Sequence, residues 1–335
     1  MSRYCGEKQT GPILEASARW RDSALLNDRS VFTDKPLWTE QGLEALDQHF
    51  VQNLDEGEGT FINKLKGFLA PTEPNVKQLA AEMSWLMMLC PSNTLPPKKR
   101  ERVEEIWGWS DERLPAKAQP WLTDLVLGGI GSAGTAFTTQ FWRELMFCIN
   151  TCLAFKRLAL EKRHELLQDP WQFSEWLQSI PDAAARQLRH MLLYLLFPDN
   201  FERIFGGGHR RQVVQFFTGK TPAQVRQLSA LEIDRELAAI RTQQEQAFPG
   251  QELDFYMPPL KERWQTQGFT EHTADIERDH VLAALQEIDR SGIPRNAEST
   301  GYDLVHEGKR YPPKQVLSLA SKHASGQEFD RSQFF

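Results

Sequence analysis

The sequence predicts a mainly α-helical protein, in which a large helical domain is followed by a small α+β module. Apolar residues recur at helical spacing over most of the chain up to about residue 265. Prolines and glycines divide this region into successive helices. After Gly268 the pattern changes to one helix, a turn-rich stretch and a last helix. We therefore expect a helical domain over residues 1–268, poorly assigned over 1–42, and an α+β module over 269–335.

The predicted helices of the large domain are strongly apolar and are separated by proline-containing breaks. Asp169 and Pro170 are typical of the N-cap and first position of a helix, and Asp199 with Glu202 has the spacing of a capping box. The main helical segments, in chain order, are VKQLAAEMSWLMMLC, KKRERVEEIWGW, FWRELMFCINTCLAFKRLAL, AAARQLRHMLLYLLF, HRRQVVQFF and LEIDRELAAIRTQQEQ.

The C-terminal module is predicted to contain a β-hairpin between two helices. The helices are DHVLAALQEIDRSG, which ends at a glycine, and QVLSLASKHASG. Two short strands are expected around Tyr302–Val305 and Lys309–Tyr311, with Glu307-Gly308 as the turn between them.

Composition and charge exclude several classes of protein. With 40% hydrophobic and 25% charged residues, the chain has the composition of a globular protein. The N-terminus lacks an apolar signal core, no stretch has the length of a membrane helix, and the four cysteines lack zinc spacing, so we expect a cytoplasmic protein. The net charge of −6 argues against a uniformly basic nucleic-acid coat, although a local basic patch can still bind DNA.

No motif in the chain predicts a catalytic centre, a metal site or a cofactor. Gly129 to Gly134 match GxGxxG, but their neighbours are helical, so a tight turn or close helix packing is the better interpretation. No GxxxxGK[ST] occurs, and the chain is therefore not expected to be an NTPase motor or an enzyme. One alternative stays open: Asp303 and the triplet Glu307-Gly308-Lys309 resemble part of a metal-dependent nuclease site, although the triplet falls on the predicted turn.

A basic segment between Arg186 and Arg226 is the first candidate for contact with DNA. Within it, His209, Arg210 and Arg211 follow three glycines and open a helix. Exposed amides at a helix start attract phosphate, and the arginines add positive charge. The alternative is a solvated face whose cations pair with acidic neighbours.

The second candidate is the segment that joins the hairpin to the last helix. Lys309, Arg310 and Lys314 surround Tyr311, and two prolines fix an extended approach to the helix. Lys314 is expected at the positive end of that helix, where a cation is locally unfavourable unless it serves an anion. Tyr311 would stack on a base or pack on the prolines. The alternative is a structural corner with solvated lysines.

Two parts of the chain resemble known families of restriction proteins. Residues of about 50–265 resemble the N-terminal region of McrB-like AAA+ restriction proteins, through FINKLKGFLAPTEPNVKQLAAEMSWL, GGIGSAGTAF, DPWQFSEWL, HMLLYLLFPDNFERIF, GGGHRRQVVQFF and LDFYMPPLKERW. Residues of about 272–335 resemble the N-terminal head domain of ScoMcrA-type modification-dependent nucleases, through HVLAALQEIDRSG and YDLVHEGKRYPPKQVLSLASKHASGQEF. Neither resemblance supplies site residues.

These resemblances imply a DNA-recognition component, for modified DNA in some relatives, of a McrB-type restriction or phage-defence system. In the McrB-like family this region precedes an NTPase motor that works with a nuclease subunit, so both are possible partners, while the motor itself is absent from this chain. Two alternatives remain: an adaptor that docks onto such a motor or nuclease, and a metal-dependent nuclease.

Overall fold

The computed structural model describes residues 5–6, 8–53, 59–265, 276–294, 297–299, 303–326 and 328. The chain forms two compact units, Met1–Met257 and Pro258–Phe335. The boundary expected between residues 268 and 269 lies outside the described residues, and so does Tyr302.

The first unit is helical throughout its described residues, which confirms the predicted fold class. Its α-helices are α1 Gly11–Arg19, α2 Glu40–His49, α3 Phe61–Leu69, α4 Pro74–Met87, α5 Pro96–Gly108, α6 Asp124–Leu127, α7 Gly134–Thr139, α8 Phe141–Lys156, α9 Leu160–Gln168, α10 Pro170–Gln178, α11 Gln187–Leu196, α12 Gly207–Thr218, α13 Pro222–Gln227 and α14 Ala230–Ala247. A π-helical stretch, Trp20–Leu26, extends α1, and 3-10 turns occupy Val51–Asn53, Ala116–Leu122 and Ala183–Ala185. Among the described helices, none combines the length and the apolar character that crossing a bilayer requires.

The centre of the first unit is packed with aromatic side chains. Trp85 of α4 and Trp107 of α5 are both buried, and their ring centroids lie 5.5 and 5.8 Å from that of Phe32. Edge-on and tilted ring contacts at this spacing stabilise a core beyond simple burial of area. The apolar runs that predicted α4, α5, α8 and α11 therefore contribute to one core.

Of the two helix starts predicted from capping residues, the one at Asp169 is confirmed and the one at Asp199 is wrong. The carboxylate of Asp169 accepts hydrogen bonds from the amides of Trp171 and Gln172, so it caps α10 as predicted. No helix begins at Asp199, and the predicted capping box with Glu202 is wrong. Glu202 is instead buried and bonded to a distant arginine, an interaction that local spacing cannot reveal.

The GxGxxG match serves close packing of the backbone. Gly129 has a φ of 72°, and a Cβ placed on it would lie 2.2 Å from the carbonyl oxygen of Pro91. A Cβ on Gly131 would lie 2.8 Å from the Phe205 ring. These two glycines let the loop run against the segment after α4, where the amide of Ser92 bonds to the carbonyl of Gly131 at 2.8 Å. This geometry agrees with the interpretation of the motif as a packing device.

Gly129→Ala should lower the free energy of unfolding by about 2–3 kcal/mol, because it adds left-handed backbone strain and an overlap with Pro91. Gly134→Ala is the matched control: its φ of 77° is similar, but nothing lies within 4 Å of the added Cβ. The control should lose only about 1–2 kcal/mol, the strain alone. Urea unfolding measures both, and equal losses would contradict the packing role of Gly129.

In its described residues, the second unit contains a short helix, a hairpin and two longer helices that pack on each other. Its elements are α15 Leu260–Gln265, α16 Arg278–Ser291, β1 Leu304–His306, β2 Lys309–Tyr311 and α17 Pro313–Ser325. The strands are antiparallel, with Leu304 opposite Tyr311 and His306 opposite Lys309. The turn is the predicted one, and both of its residues, Glu307 and Gly308, have positive φ, as a two-residue hairpin turn requires.

The core of the second unit lies between its two longer helices. α16 contributes Leu285 and Ile288, and α17 contributes Val316 and Leu319. Tyr311, at the end of β2, joins this cluster. The hairpin is therefore attached to the helices by its last residue, which fixes the position of the corner between β2 and α17.

Candidate nucleic-acid interface

The segment from Lys309 to Lys314, here called the basic corner, joins β2 to the first turn of α17. Lys309 and Arg310 lie on the strand, and Pro312 and Pro313 lead into the helix. Pro313 occupies the first helical position, where its missing N–H costs nothing. Because proline restricts the backbone on both sides, the corner holds its cations on a fixed frame.

Lys309 and Arg310 are exposed and carry only surface ion pairs. The Lys309 ammonium lies 2.7 Å from Asp289, and the Arg310 guanidinium lies 3.4 Å from Asp303. Their side chains remain 62% and 79% exposed. Surface pairs of this kind contribute about 0–1 kcal/mol, so a polyanion can compete for both cations.

Tyr311 is buried, which corrects the expectation that its ring stacks on a base. Its side chain packs in the core of the second unit and is only 4% exposed. Its hydroxyl donates a hydrogen bond to Asp289 over 3.1 Å. The alternation of the strand places Tyr311 on the core face, so the residue anchors the corner and offers no ring face to a ligand.

Lys314 is exposed in the first turn of α17, and no ion pair engages it within the described part of the chain. No side chain caps this helix end. A cation beside the positive end of a helix is unfavourable by itself, and an anion bound there would relieve both charges. Lys314 therefore keeps the role predicted for it as a candidate phosphate contact.

Asp289 is a residue of this site that the sequence analysis missed. It lies on α16 and receives both the Lys309 ammonium and the Tyr311 hydroxyl. The Lys309 and Tyr311 hydrogen bonds lower the pKa of Asp289 despite some desolvation, so it stays ionised. In the sequence, Asp289 has no feature that distinguishes it from the other acids of the same helix, Asp279 and Glu287.

The second candidate group, His209 to Arg211, is divided by the structure. Arg210 is 3% exposed, and its guanidinium bonds to the carboxylate of Asp234 and to the carbonyl of Ile204. It has no exposed face for a phosphate, which corrects the predicted contact. The cause is helical spacing: Arg210 falls on the same face of α12 as the buried Val213 and Val214.

His209 is half buried and Arg211 is exposed. The Nδ1 of His209 lies 3.0 Å from the Tyr256 hydroxyl, and burial lowers the pKa of the histidine, so its ring is neutral at neutral pH. The ring of His209 therefore adds no positive charge to the start of the helix. Arg211 is exposed near the start of α12, with no ion pair among the described residues, and remains a candidate contact.

Most of the remaining basic segment is an internal ion-pair network. Arg189 pairs with Asp234 at 2.7 Å, and Arg203 makes a two-pronged contact with Asp254 at 2.5 and 2.7 Å. Arg186 is also buried, 3.7 Å from Glu144. Much of the local positive charge is therefore paired with acids, as the alternative interpretation supposed, but the pairs are buried and do not form the solvated face that it expected.

The carboxylates of the second unit do not converge. Glu307 sits on the hairpin turn, and the ammonium of Lys309 bonds to Asp289. Across the described ranges, no three His, Cys, Asp or Glu side chains come together as they would around a metal ion.

Comparison with known proteins found one family model that matches part of the chain. No curated protein matches, and no solved structure matches. The matching model is the ScoMcrA-like N-terminal head domain, over residues 274–335, a range that contains α16, the hairpin, the basic corner and α17. The C-terminal part of this chain is thus similar to the head domain of ScoMcrA-like proteins.

Proposed function

We propose that this chain is a DNA-recognition component of a restriction or phage-defence system. The observation that carries the proposal is the similarity of residues 274–335 to the ScoMcrA-like head domain. In this proposal the basic corner contacts the DNA backbone. Such contacts can be made to modified and to unmodified DNA alike.

The exposed cations of the basic corner support this proposal. Lys309, Arg310 and Lys314 lie within six residues of one another on a frame fixed by two prolines and by the buried Tyr311. Lysine and arginine contacts to phosphates position a protein on DNA without reading its sequence. Recognition of a particular base or modification would then come from residues around this anchor.

The resemblance of residues 50–265 to McrB-like proteins extends the proposal to partners. A chain of this type, which lacks a P-loop motif, would work with an NTPase motor or a nuclease supplied by other subunits. On this view the first unit, Met1–Met257, here called the helical unit, supplies the surface on which such a partner docks.

The triple variant Lys309→Gln, Arg310→Gln, Lys314→Gln tests the proposal. Fluorescence anisotropy with matched modified and unmodified duplexes should show that wild-type affinity falls steeply with salt. Loss of three phosphate contacts should weaken binding about tenfold or more at low salt and reduce the slope of log K against log salt by about 2–3.

A matched control removes three exposed lysines from the helical unit: Lys98→Gln, Lys117→Gln, Lys162→Gln. Each of these lysines sits in a surface ion pair, as Lys309 and Arg310 do, so the change in charge is the same and the loss of surface pairs is at least as large. The control should bind DNA nearly as the wild type does. Equal weakening by both triple variants would show a general effect of charge, and absence of DNA binding in the wild type would reject the proposal.

We further propose that the chain binds DNA without cutting it. Duplex DNA incubated with the purified chain and Mg²⁺ or Mn²⁺ should remain intact. Cleavage that Glu307→Gln abolishes would instead establish the nuclease alternative.

A further inference from the structure

A cavity of about 270 Å³ lies in the helical unit, where α11 and α12 begin. Arg186, His190 and Arg211 contribute side chains to its lining, and Gly207 and Gly208 contribute the first turn of α12. The lining is predominantly polar and carries positive charge. Positive side chains and the start of a helix therefore meet around one cavity.

The start of α12 offers backbone donors to this cavity. Gly206 is the N-cap residue, and no side chain caps the helix. The first amides of a helix have no partner within it, and Gly207 and Gly208 of this first turn line the cavity. The positive end of a 12-residue helix adds to the attraction of these amides for an anion.

Arg211 brings an exposed cation to the same place. One guanidinium nitrogen lies 3.6 Å from the position of a Cβ on Gly207, so the side chain folds back over the first turn of its own helix. No carboxylate pairs with it among the described residues. A cation beside the positive end of a helix is repelled, and a bound anion would turn that repulsion into attraction.

Arg186 is a second, buried cation, and its one ion pair in the described chain, with Glu144, is long. It is 7% exposed, and its Nε has no hydrogen-bond partner. Glu144, the nearest carboxylate, lies 3.7 Å away and accepts hydrogen bonds from the amides of Gln187 and Leu188 at the start of α11. A buried guanidinium without a direct hydrogen bond is costly, so an anion that reaches Arg186 at the wall of the cavity would be bound favourably.

His190 supplies a donor to the cavity as well. Burial, and then the charges of Arg210, Arg189 and Arg211, hold its pKa well below the ordinary value, so the ring is neutral. Its Nδ1 lies 3.2 Å from an Arg189 nitrogen, which can only donate. The proton of the neutral ring must therefore sit on Nε2, which makes no hydrogen bond within the described chain.

The charges around the cavity leave a positive surplus. Arg186 and Arg211 line it, Arg189 and Arg210 lie behind it, and the facing carboxylates are Glu144 and Asp234. These four arginines and two carboxylates leave a surplus of two positive charges. The surplus matches a dianion better than a single internal phosphodiester.

We propose that this cavity binds a phosphoryl dianion, held by Arg186, Arg211, His190 and the first amides of α12. Two sources share this chemistry: free inorganic phosphate and the terminal 5′-phosphate of a DNA strand. The inference does not rest on the proposed function, because the basic corner belongs to the other unit.

Thermal unfolding of the full chain in inorganic phosphate, against chloride at equal ionic strength, tests the site. Ligand binding to the native state should raise the wild-type Tm by about 2–4 °C. Arg211→Gln should lose most of this rise. Arg226→Gln, which removes an exposed arginine of the same unit outside the cavity, should retain it.

Gly208→Asp provides a second test that does not remove a charge needed for folding. The added carboxylate has open space and lies at the positive end of α12, so it should act as a built-in anion. This variant should fold, match or exceed the wild-type Tm in chloride, and gain little from phosphate. An equal phosphate response in all four proteins would be a general salt effect and would overturn the proposal.

Oligonucleotides of one sequence, with and without a 5′-phosphate, distinguish the two sources. Binding about tenfold tighter for the phosphorylated strand, lost in Arg211→Gln, would identify a strand end as the ligand. Equal binding of both strands, together with the phosphate-dependent Tm, would identify free phosphate. The triple variant of the basic corner should keep the phosphate response, so failure at one site is separable from failure at the other.

Discussion

Asp234→Asn should lower the free energy of unfolding of the helical unit by about 3–5 kcal/mol. Asp234 is fully buried on α14 and pairs with both Arg189 and Arg210. Ser174 also donates a hydrogen bond to it. The substitution keeps the shape of the side chain but leaves two buried guanidinium charges without a counter-charge.

Urea unfolding followed by tryptophan fluorescence measures this loss in the correct unit, because nine of the ten tryptophans precede residue 258. Glu236→Gln is the control on the same helix, since Glu236 pairs with the partly exposed Lys220. It should cost about 0–1 kcal/mol.

Adding Arg189→Met to Asp234→Asn should cost less than the sum of the two single changes. Additive losses would show that these side chains do not form one network.

Glu82→Ala should cost about 4 kcal/mol or more, because it leaves several buried donors without an acceptor. Glu82 lies on α4 and is fully buried. Its carboxylate accepts hydrogen bonds from the amides of Val31 and Phe32 at 3.0 and 3.2 Å and from the Trp38 indole at 2.6 Å. The Ser30 hydroxyl is a further partner. This one side chain therefore holds the loop that follows the π-helical stretch against α4.

Ser84→Ala is the control on the same helix, because the buried Ser84 hydroxyl has no hydrogen-bond partner. Its removal should change the free energy of unfolding by about 0.5 kcal/mol or less. A loss from Glu82→Ala as small as that from Ser84→Ala would contradict the anchoring role.

The loss from Glu82→Ala should also depend on pH. Burial raises the pKa of Glu82 above 4.5 in the folded protein, despite the opposing hydrogen bonds from Ser30, Trp38, Val31 and Phe32. The folded state then binds more protons than the unfolded state, so the contribution of Glu82 is full below pH 4.5 and declines as pH rises through the folded pKa. The difference between wild type and variant should therefore be smaller at high pH than at low pH.

The fold followed from local patterns that the sequence displays directly. The N-cap at Asp169 was predictable because a capping side chain acts on amides two and three residues away. The hairpin around Glu307-Gly308 was predictable because strand alternation and turn residues are also local. The expected role of the GxGxxG glycines rested on the same reasoning, although their contact with Pro91 could not be foreseen.

The candidate sites were only partly predictable. Lys309, Arg310 and Lys314 are exposed as the sequence led us to expect, whereas Tyr311 and Arg210 are buried. The two failures have one cause. Side-chain direction in a three-residue strand or at a helix start depends on which face meets the core, and the sequence alone left that face undecided.

By itself, the sequence determined the succession of helices, the hairpin and the location of the basic segments, because these depend on interactions within a few residues. The tertiary structure alone decided which cations are available. The acids that neutralise Arg210, Arg189 and Arg203 lie 24, 45 and 51 residues away along the chain. Coulombic and hydrogen-bond energies depend on distance through space, so a count of charges along the sequence could not separate buried ion pairs from the arginines that remain free to bind an anion.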